Sequence, residues 1–428
     1  MRNDIELPEL SLADYSYDLP DDRIATHPLP ERDASRLLVA DISAGTITHD
    51  TFRNLADLLP EQSLLVVNRT RVIAARVHMR KPTGGIVEML LTSPVAPMTD
   101  PAHALASSKP STWQCLLRGR NIGPGVVLRH DGVSLAATVL ARNGTEAHVA
   151  LHWNDDLSLA EILDRAGTLP LPPYLHREAE EDDYERYQTV YATESGSVAA
   201  PTAGLHFTDR VLADCSARGI DRAEVTLHVG LGTFQPVTAV DARDHTMHVE
   251  RISIDRATLT QLVAHASSAM PIITAVGTTS LRTLESLCAF GSRLVLQRMR
   301  GTPWPSTVYV EQWEAFDPEA TAVGRLEALT AVMEWMDEQS VDVLWGDTAI
   351  MLAPGATLRA ADALITNFHQ PGNTLMLLIA AWCGPLWKTV YREALDQGYR
   401  FLSYGDSSLL RRTAPDAISD SVPGRRSR

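Results

Sequence analysis

Four histidines stand in polar, small-residue runs where an imidazole could move a proton. His206 lies in Ala199-Ala200-Pro201-Thr202-Ala203-Gly204-Leu205-His206-Phe207-Thr208, just before a helix that Thr208 is suited to cap. Small residues such as Gly204 let a ligand reach backbone N–H groups, and a helix start offers unpaired donors. The same run also suits a histidine that only caps or packs, and the loop alone does not separate the two. His228 ends a strand that runs into Gly230-Leu231-Gly232-Thr233-Phe234. A dinucleotide turn would need a small residue where Gln235 stands and a helix where Pro236 stands, so this is not a Rossmann fingerprint. A ligand-hugging turn through Gly230, Gly232 and Thr233 and a purely structural turn both remain open. His248 lies in Asp244-His245-Thr246-Met247-His248-Val249-Glu250. That spacing is not the HExxH of a metal helix. Acid–base work or substrate hydrogen bonding ranks above a metal, and structural pairing ranks level with them. On a strand, His248 and Glu250 would share a face. His369 follows Thr366-Asn367-Phe368, where a buried strand ends in polar residues.

A fifth run carries hydroxyls rather than imidazole. In Ala275-Val276-Gly277-Thr278-Thr279-Ser280-Leu281-Arg282-Thr283-Leu284-Glu285, a strand passes through a tight turn into a helix. Ser280 with Thr283 and Glu285 accounts for part of this as capping. Three successive hydroxyls exceed what a cap needs. A carboxylate, phosphate or ribose at the helix start, with Arg282 adding charge, fits Thr278, Thr279 and Ser280. Ser403-Tyr404-Gly405-Asp406 is a further polar turn after a strand. Several such strand ends in one chain point together to one site.

The elements that must hold these residues change character along the chain. From Val72 to Trp153, short alternating segments are separated by turns such as Gly84-Gly85, Asp131-Gly132 and Asn143-Gly144. The last two are hairpin signals, and no helical pattern interrupts them. After Asp156, helices alternate with strands. Helices are expected at Ser158–Ala166, Asp209–Arg218, Asp255–Ser268, Ser280–Phe290 and Lys388–Gln397. Strands are expected at Ala223–Val229, Ile272–Val276, Ala349–Leu352 and Leu364–Thr366. The expected fold is α/β, a mixed sheet with helices on both faces, plus an inserted small β-barrel domain. Residues 1–71 and 154–428 would form the core and 72–153 the insert. Residues 292–345, with a helix at Leu326–Met336, read as a surface excursion. Ligands of such sheets bind at the carboxyl ends of the strands.

The 428 residues are 45% apolar and carry a net charge of −15. An acidic chain repels nucleic acid at long range, so any such binding must use a local basic patch. Its cations are nearly all arginine, with Lys81, Lys109 and Lys388 the only lysines. Coding bias explains that more simply than phosphate recognition does. The four cysteines form no CxxC pair and read as reduced core residues. The start of the chain shows no apolar signal core, and no stretch reaches membrane-span length, so a cytoplasmic protein without membrane contact is expected. No metal is expected either.

Taken together, these runs resemble the S-adenosylmethionine:tRNA ribosyltransferase-isomerase family of queuosine biosynthesis. The likeness includes Tyr17-Asp18-Leu19-Pro20, Pro30-Glu31-Arg32, Leu169–Tyr174, Tyr187–Tyr191, Ala200–Phe207, His228–Phe234, Ala275–Arg282, Thr366–His369 and Ser403–Asp406. It implies an α/β core with an inserted β-barrel. It also implies transfer and isomerisation of the ribosyl part of S-adenosylmethionine onto 7-aminomethyl-7-deazaguanine at the tRNA wobble position, giving epoxyqueuosine and releasing adenine and methionine. S-adenosyl-L-methionine would be the cosubstrate and tRNA the partner; monomer or homo-oligomer stays open. His206, His228, His248 and His369 become candidate acids or bases. Gly204, Gly230, Gly232, Thr233, Thr278, Thr279, Ser280, Arg282 and Asn367 become candidates for holding the cosubstrate. Some positions depart from the family. Asn68-Arg69-Thr70-Arg71 stands for Asn-Asn-Thr-Arg, Gln370–Thr374 for Leu-Pro-x-Ser-Thr, and Ser407-Ser408 for Ala-Met. A paralogue acting on a different acceptor is one alternative. A non-enzymatic RNA-binding module is another, weakened by the acidity and by aromatics of only 6%. A methyltransferase would show a Gly-rich loop after its first strand, and none is visible.

Overall fold

The computed structural model describes residues 5–154, 156–230, 239–269 and 271–412. Gly232 and Thr233 lie outside the described residues, as do the rest of the turn after Leu231 and both chain ends. The chain forms two compact units. One holds most of the chain, and the other comprises Arg69–Ala200 with the stretch that begins at His228. That second unit takes in more sequence than Val72–Trp153.

The larger unit is built on a ten-stranded mixed sheet. Its spatial order is Val308–Val310, Val343–Thr348, Glu250–Asp255, Asp221–His228, Leu64–Asn68, Ile273–Val276, Ala363–Asn367, Ser407–Arg411, Arg36–Asp41, Thr46–Thr51. Four neighbouring strands at its centre are parallel. Val225 lies opposite Asn68, Val66 opposite Ala275, and Ala275 opposite Leu364. Leu64–Asn68, Ile273–Val276 and Ala363–Asn367 are buried along their whole length. Strands enclosed on both faces need continuous apolar runs rather than alternation, which is the pattern their sequences carry.

Helix Gly277–Met299 is the longest, and it is buried from Gly277 through Ser292. It begins one residue after a strand, with Gly277 at φ +87°. A side chain there would be strained, so glycine makes this abrupt strand-to-helix turn feasible. Its interior hydroxyls bond back one turn, Thr283 Oγ1 to Thr279 O (3.0 Å) and Ser292 Oγ to Cys288 O (2.8 Å), which satisfies them without water. The capping expected of Ser280 and Glu285 is not what the structure shows. Val276 is the N-cap and gives no side-chain cap. Ser280 Oγ donates to Val276 O (2.7 Å), and Glu285 instead takes the N–H groups of Arg359 and Ala360.

Residues 292–345 are a second correction. They form no surface excursion. They finish the long helix, supply two sheet strands, and contribute helix Arg325–Glu338, whose Ala328, Leu329, Ala331, Val332, Trp335 and Met336 are buried. The apolar stripe at helical spacing in that stretch is core, packed on the long helix. The strand expected at Ala349–Leu352 is also displaced. The strand is Val343–Thr348, and the buried residues after it form none.

In the second unit, Arg76–Arg80, Ile86–Ala96, Ser111–Arg118, Glu146–Trp153, Leu135–Asn143 and Val127–Arg129 pair in sequence. Arg80 opposite Arg129 closes them into a six-stranded barrel. Ser111–Arg118 alternates buried and partly open residues, so Trp113, Cys115 and Leu117 fill the interior. Asn143-Gly144 and Asp131-Gly132 join adjacent strands, as their turn chemistry requires. One expectation fails inside the barrel segment, because Pro101–Ala106 is a helix. Asp100 caps it by accepting from His103 N (2.7 Å), and proline stands at its first position. The structure is therefore a mixed α/β fold with a closed barrel, the class the sequence implied.

Candidate active site

The central parallel strands either end in polar residues or run directly into them. Asn68 closes one, Gly277 follows the next, and Thr366-Asn367 closes the third. Backbone groups are unpaired where a parallel strand stops, so side chains there either satisfy the ladder or face a ligand. Asn68 satisfies it. Its amide donates to Leu227 O (2.9 Å) and accepts from Leu227 N (3.1 Å).

His206 ends the short turn Thr202–His206 and is 4% exposed. Its Nδ1 lies 2.8 Å from Ser35 Oγ, and its Nε2 3.3 Å from Asn367 Nδ2. The same Asn367 Nδ2 donates to Leu402 O at 3.0 Å. That carbonyl can only accept, so it fixes the amide's orientation. The amide nitrogen then donates to His206 Nε2, which makes Nε2 the acceptor and leaves the imidazole proton on Nδ1, facing Ser35. Leu402 itself sits at φ +69°, a left-handed conformation that is costly for a bulky side chain. Strain of this kind persists only where surrounding structure enforces it, and it clusters at functional sites.

Burial pushes the His206 imidazole down to about 4; the Asn367 bond opposes this, and Arg32 and Arg400 add to it. His369 is half-buried, and burial pushes it to about 4 as well. Its Nε2 lies 2.9 Å from Thr366 Oγ1. Tyr17 donates to its carbonyl, and its N–H donates to Tyr391 Oη at 3.1 Å. Both imidazoles are therefore neutral near pH 7, the form that accepts a proton. Free histidine titrates near 6.5, so between about 6.5 and 4 the unfolded chain binds protons that the fold refuses. The stability these two groups lend is complete above pH 6.5 and is lost as pH falls toward 4. We expect the urea midpoint to drop across that window by an amount worth a few kcal/mol, in total order of magnitude. His206→Gln should flatten part of the drop. Identical pH profiles for the two proteins would refute the assignment.

At the start of the long helix, Thr278, Thr279 and Ser280 are buried. Ser280 is used internally, whereas Thr279 Oγ1 has no partner among the described residues. It lies 3.5 Å from where a Cβ on Gly277 would stand, so it points to the turn. The same Cβ position is 3.6 Å from Ala203 Cβ, which places the Thr202–His206 turn against this helix start. One turn further on, Arg282 pairs with the buried Glu250, yet its Nε and Nη2 have no partner among the described residues. Asn367 Oδ1 is likewise enclosed and without a partner among the described residues. Buried polar atoms of this kind are costly unless something bonds them.

His228 ends the strand Asp221–His228 and is grouped with the second unit, where its Nδ1 meets Thr70 Oγ1 at 3.2 Å and its ring packs against Gly196. Gly230 follows it there. His248 is exposed and precedes the strand Glu250–Asp255, so it shares no strand face with Glu250. Gly204 lies in the His206 turn. Among the described residues no group of three or more His, Cys, Asp or Glu side chains is placed to hold a metal ion. Ser35 and Leu402 went unmarked in the sequence, and Glu250 was marked only beside His248, not as the partner of Arg282. Ser35 stands three residues beyond the Pro30-Glu31-Arg32 run, and no local signal couples it to His206 across 171 positions.

The sheet and barrel define a mixed α/β protein with a polar cluster at its strand ends, built like a ligand site. The chain belongs to the queuosine biosynthesis protein family, whose model matches residues 12–410. Proteins named S-adenosylmethionine:tRNA ribosyltransferase-isomerase in two strains of Nitratidesulfovibrio vulgaris are each 39% identical over 96% of this chain and 100% of their own length. A protein of the same name from Oleidesulfovibrio alaskensis is 38% identical over 95% of both chains. Among solved structures, an S-adenosylmethionine tRNA ribosyltransferase from Thermotoga maritima matches 92% of this chain and 99% of its own. It is 26% identical, with a TM-score of 0.43.

Proposed function

We propose that this chain is an S-adenosylmethionine:tRNA ribosyltransferase-isomerase of queuosine biosynthesis, acting on 7-aminomethyl-7-deazaguanine at the tRNA wobble position. The observation that carries the reading is similarity over essentially the full length of relatives that bear this name. The sulfonium of S-adenosylmethionine acidifies the carbon beside it, so a neutral imidazole can take a proton there without a metal. The amine of the deazaguanine becomes bonded to a sugar carbon, the glycosidic bond to adenine and the carbon–sulfur bond to methionine break, and the sugar takes up the two freed valences by rearranging to an epoxycyclopentanediol. Adenine leaves with a proton supplied by the site.

His206 is the leading candidate for proton transfer. It is neutral, and its Nε2 lone pair meets only a long bond from Asn367 that a substrate group can replace. Thr279, Arg282 and Asn367 supply polar atoms without a partner among the described residues, suited to ribose hydroxyls or the methionine end. His369, His228 and Gly230 are retained as supporting candidates, and His248 ranks last because it is exposed. We place the enzyme in the cytoplasm; no helix among the described residues is long and apolar enough to cross a membrane.

Incubation with S-adenosylmethionine and tRNA carrying the deazaguanine amine should release adenine and methionine, with release dependent on that tRNA. S-adenosylhomocysteine with methylated tRNA would overturn the reading. Activity only on a different amine would move the chain to another acceptor.

A further inference from the structure

The charge of this chain is unevenly distributed. Between Val72 and Trp153 there are eight Lys and Arg against four Asp and Glu, a net +4 within a chain of net −15. The fold gathers most of those cations on one side of the barrel. Arg80 lies opposite Arg129 where the barrel closes. Lys81 follows Arg80, and its ammonium donates to Arg120 O at 2.9 Å. The loop after Arg118, which carries Arg120, is tied down by Arg142, whose guanidinium donates to Ile122 O (2.8 Å), Leu117 O and Gly119 O.

Some of this charge is neutralised locally. Arg80 forms a forked pair with Asp131, and Arg118 lies 3.5 Å from Glu88. Lys81, Arg120 and Arg129 form no ion pair among the described residues, and Arg142 bonds only to carbonyls there. Arg120 and Arg129 are exposed, and Lys81 is half-exposed. Unpaired cations on strand ends and tied loops keep a fixed spacing, which suits a regular polyanion. The acidic remainder repels the same polyanion, so this patch governs where it lands.

We propose that the barrel surface formed by Lys81, Arg120, Arg129 and Arg142 binds the phosphate backbone of the tRNA. The proposal rests on the tRNA-modifying reading above. The test titrates the full chain with tRNA across a salt series, without S-adenosylmethionine, beside a variant combining Lys81→Glu, Arg120→Glu and Arg129→Glu. Affinity should fall by about 100-fold near 0.15 M salt, and the slope of log affinity against log salt should shrink by about 2 to 3. Lys388→Glu with Arg392→Glu, exposed on a helix of the larger unit, controls for charge reversal outside the barrel and should bind as wild type. If the glutamate variant fails to melt cooperatively, the triple glutamine variant replaces it, with about a tenfold loss expected.

A folded variant that binds tRNA within threefold of wild type with an unchanged salt slope would overturn the patch alone, provided wild type binds tRNA and releases adenine. Wild type that binds no tRNA would overturn the tRNA reading with it. A variant impaired only on phosphatidylserine vesicles would reassign the patch to a membrane surface.

Discussion

Replacing His206 with alanine should lower kcat by about 10²- to 10⁴-fold, the range for loss of a positioned acid or base, while S-adenosylmethionine affinity changes only a few-fold. The imidazole is enclosed, neutral and held in one tautomer by Ser35 and Asn367. A group so placed acts on charge that develops during reaction, so its removal appears in kcat rather than in ground-state binding. His206→Gln separates chemistry from packing, because it keeps polar atoms beside Phe52 and Ser35 but cannot relay a proton. Glutamine should therefore be nearly as slow as alanine. Single-turnover adenine release together with calorimetric cosubstrate binding makes the measurement. Retained turnover, or affinity falling in step with kcat, would demote His206 to a packing residue.

The second large effect concerns stability. Gly291→Ala should destabilise the larger unit by about 3 kcal/mol or more, at the upper end for overpacking. A Cβ at Gly291 would lie 2.1 Å from Ala328 O and 2.6 Å from Ala328 C. Both are backbone atoms of the helix Arg325–Glu338, so no side chain can swing aside. The two helices would have to separate and give up contacts around Leu294 and Phe290. The exposed helix site Arg392→Ala, by contrast, should cost well under 1 kcal/mol. Denaturation midpoints decide it. A Gly291→Ala protein as stable as wild type would mean that this helix pair is loosely packed.

That contact also marks where sequence reading stopped. Residues 292–345 have Pro- and Trp-rich flanks, which suggested a peripheral excursion. In the fold they bring a helix against the longest helix and two strands into the sheet. Nothing within the segment reveals this, because the surface it covers is made by residues distant in the chain. Likewise, the hydroxyls of Thr278, Thr279 and Ser280 look equivalent in sequence. Only the folded geometry uses Ser280 within the helix and leaves Thr279 Oγ1 without a partner among the described residues.

The sequence by itself determined the elements and their class. Alternation with Asn-Gly and Asp-Gly turns specified the barrel hairpins, and continuous apolar runs specified the buried parallel strands, because side-chain period and turn chemistry are local properties. It also marked the polar strand ends as the place for chemistry. The tertiary structure decided which of those ends meet. It set His206 against Asn367 and Ser35 and exposed His248. Strand order and register bring residues together across more than 150 positions, and a spacing rule that reads neighbours within one turn or one hairpin carries no information at that range.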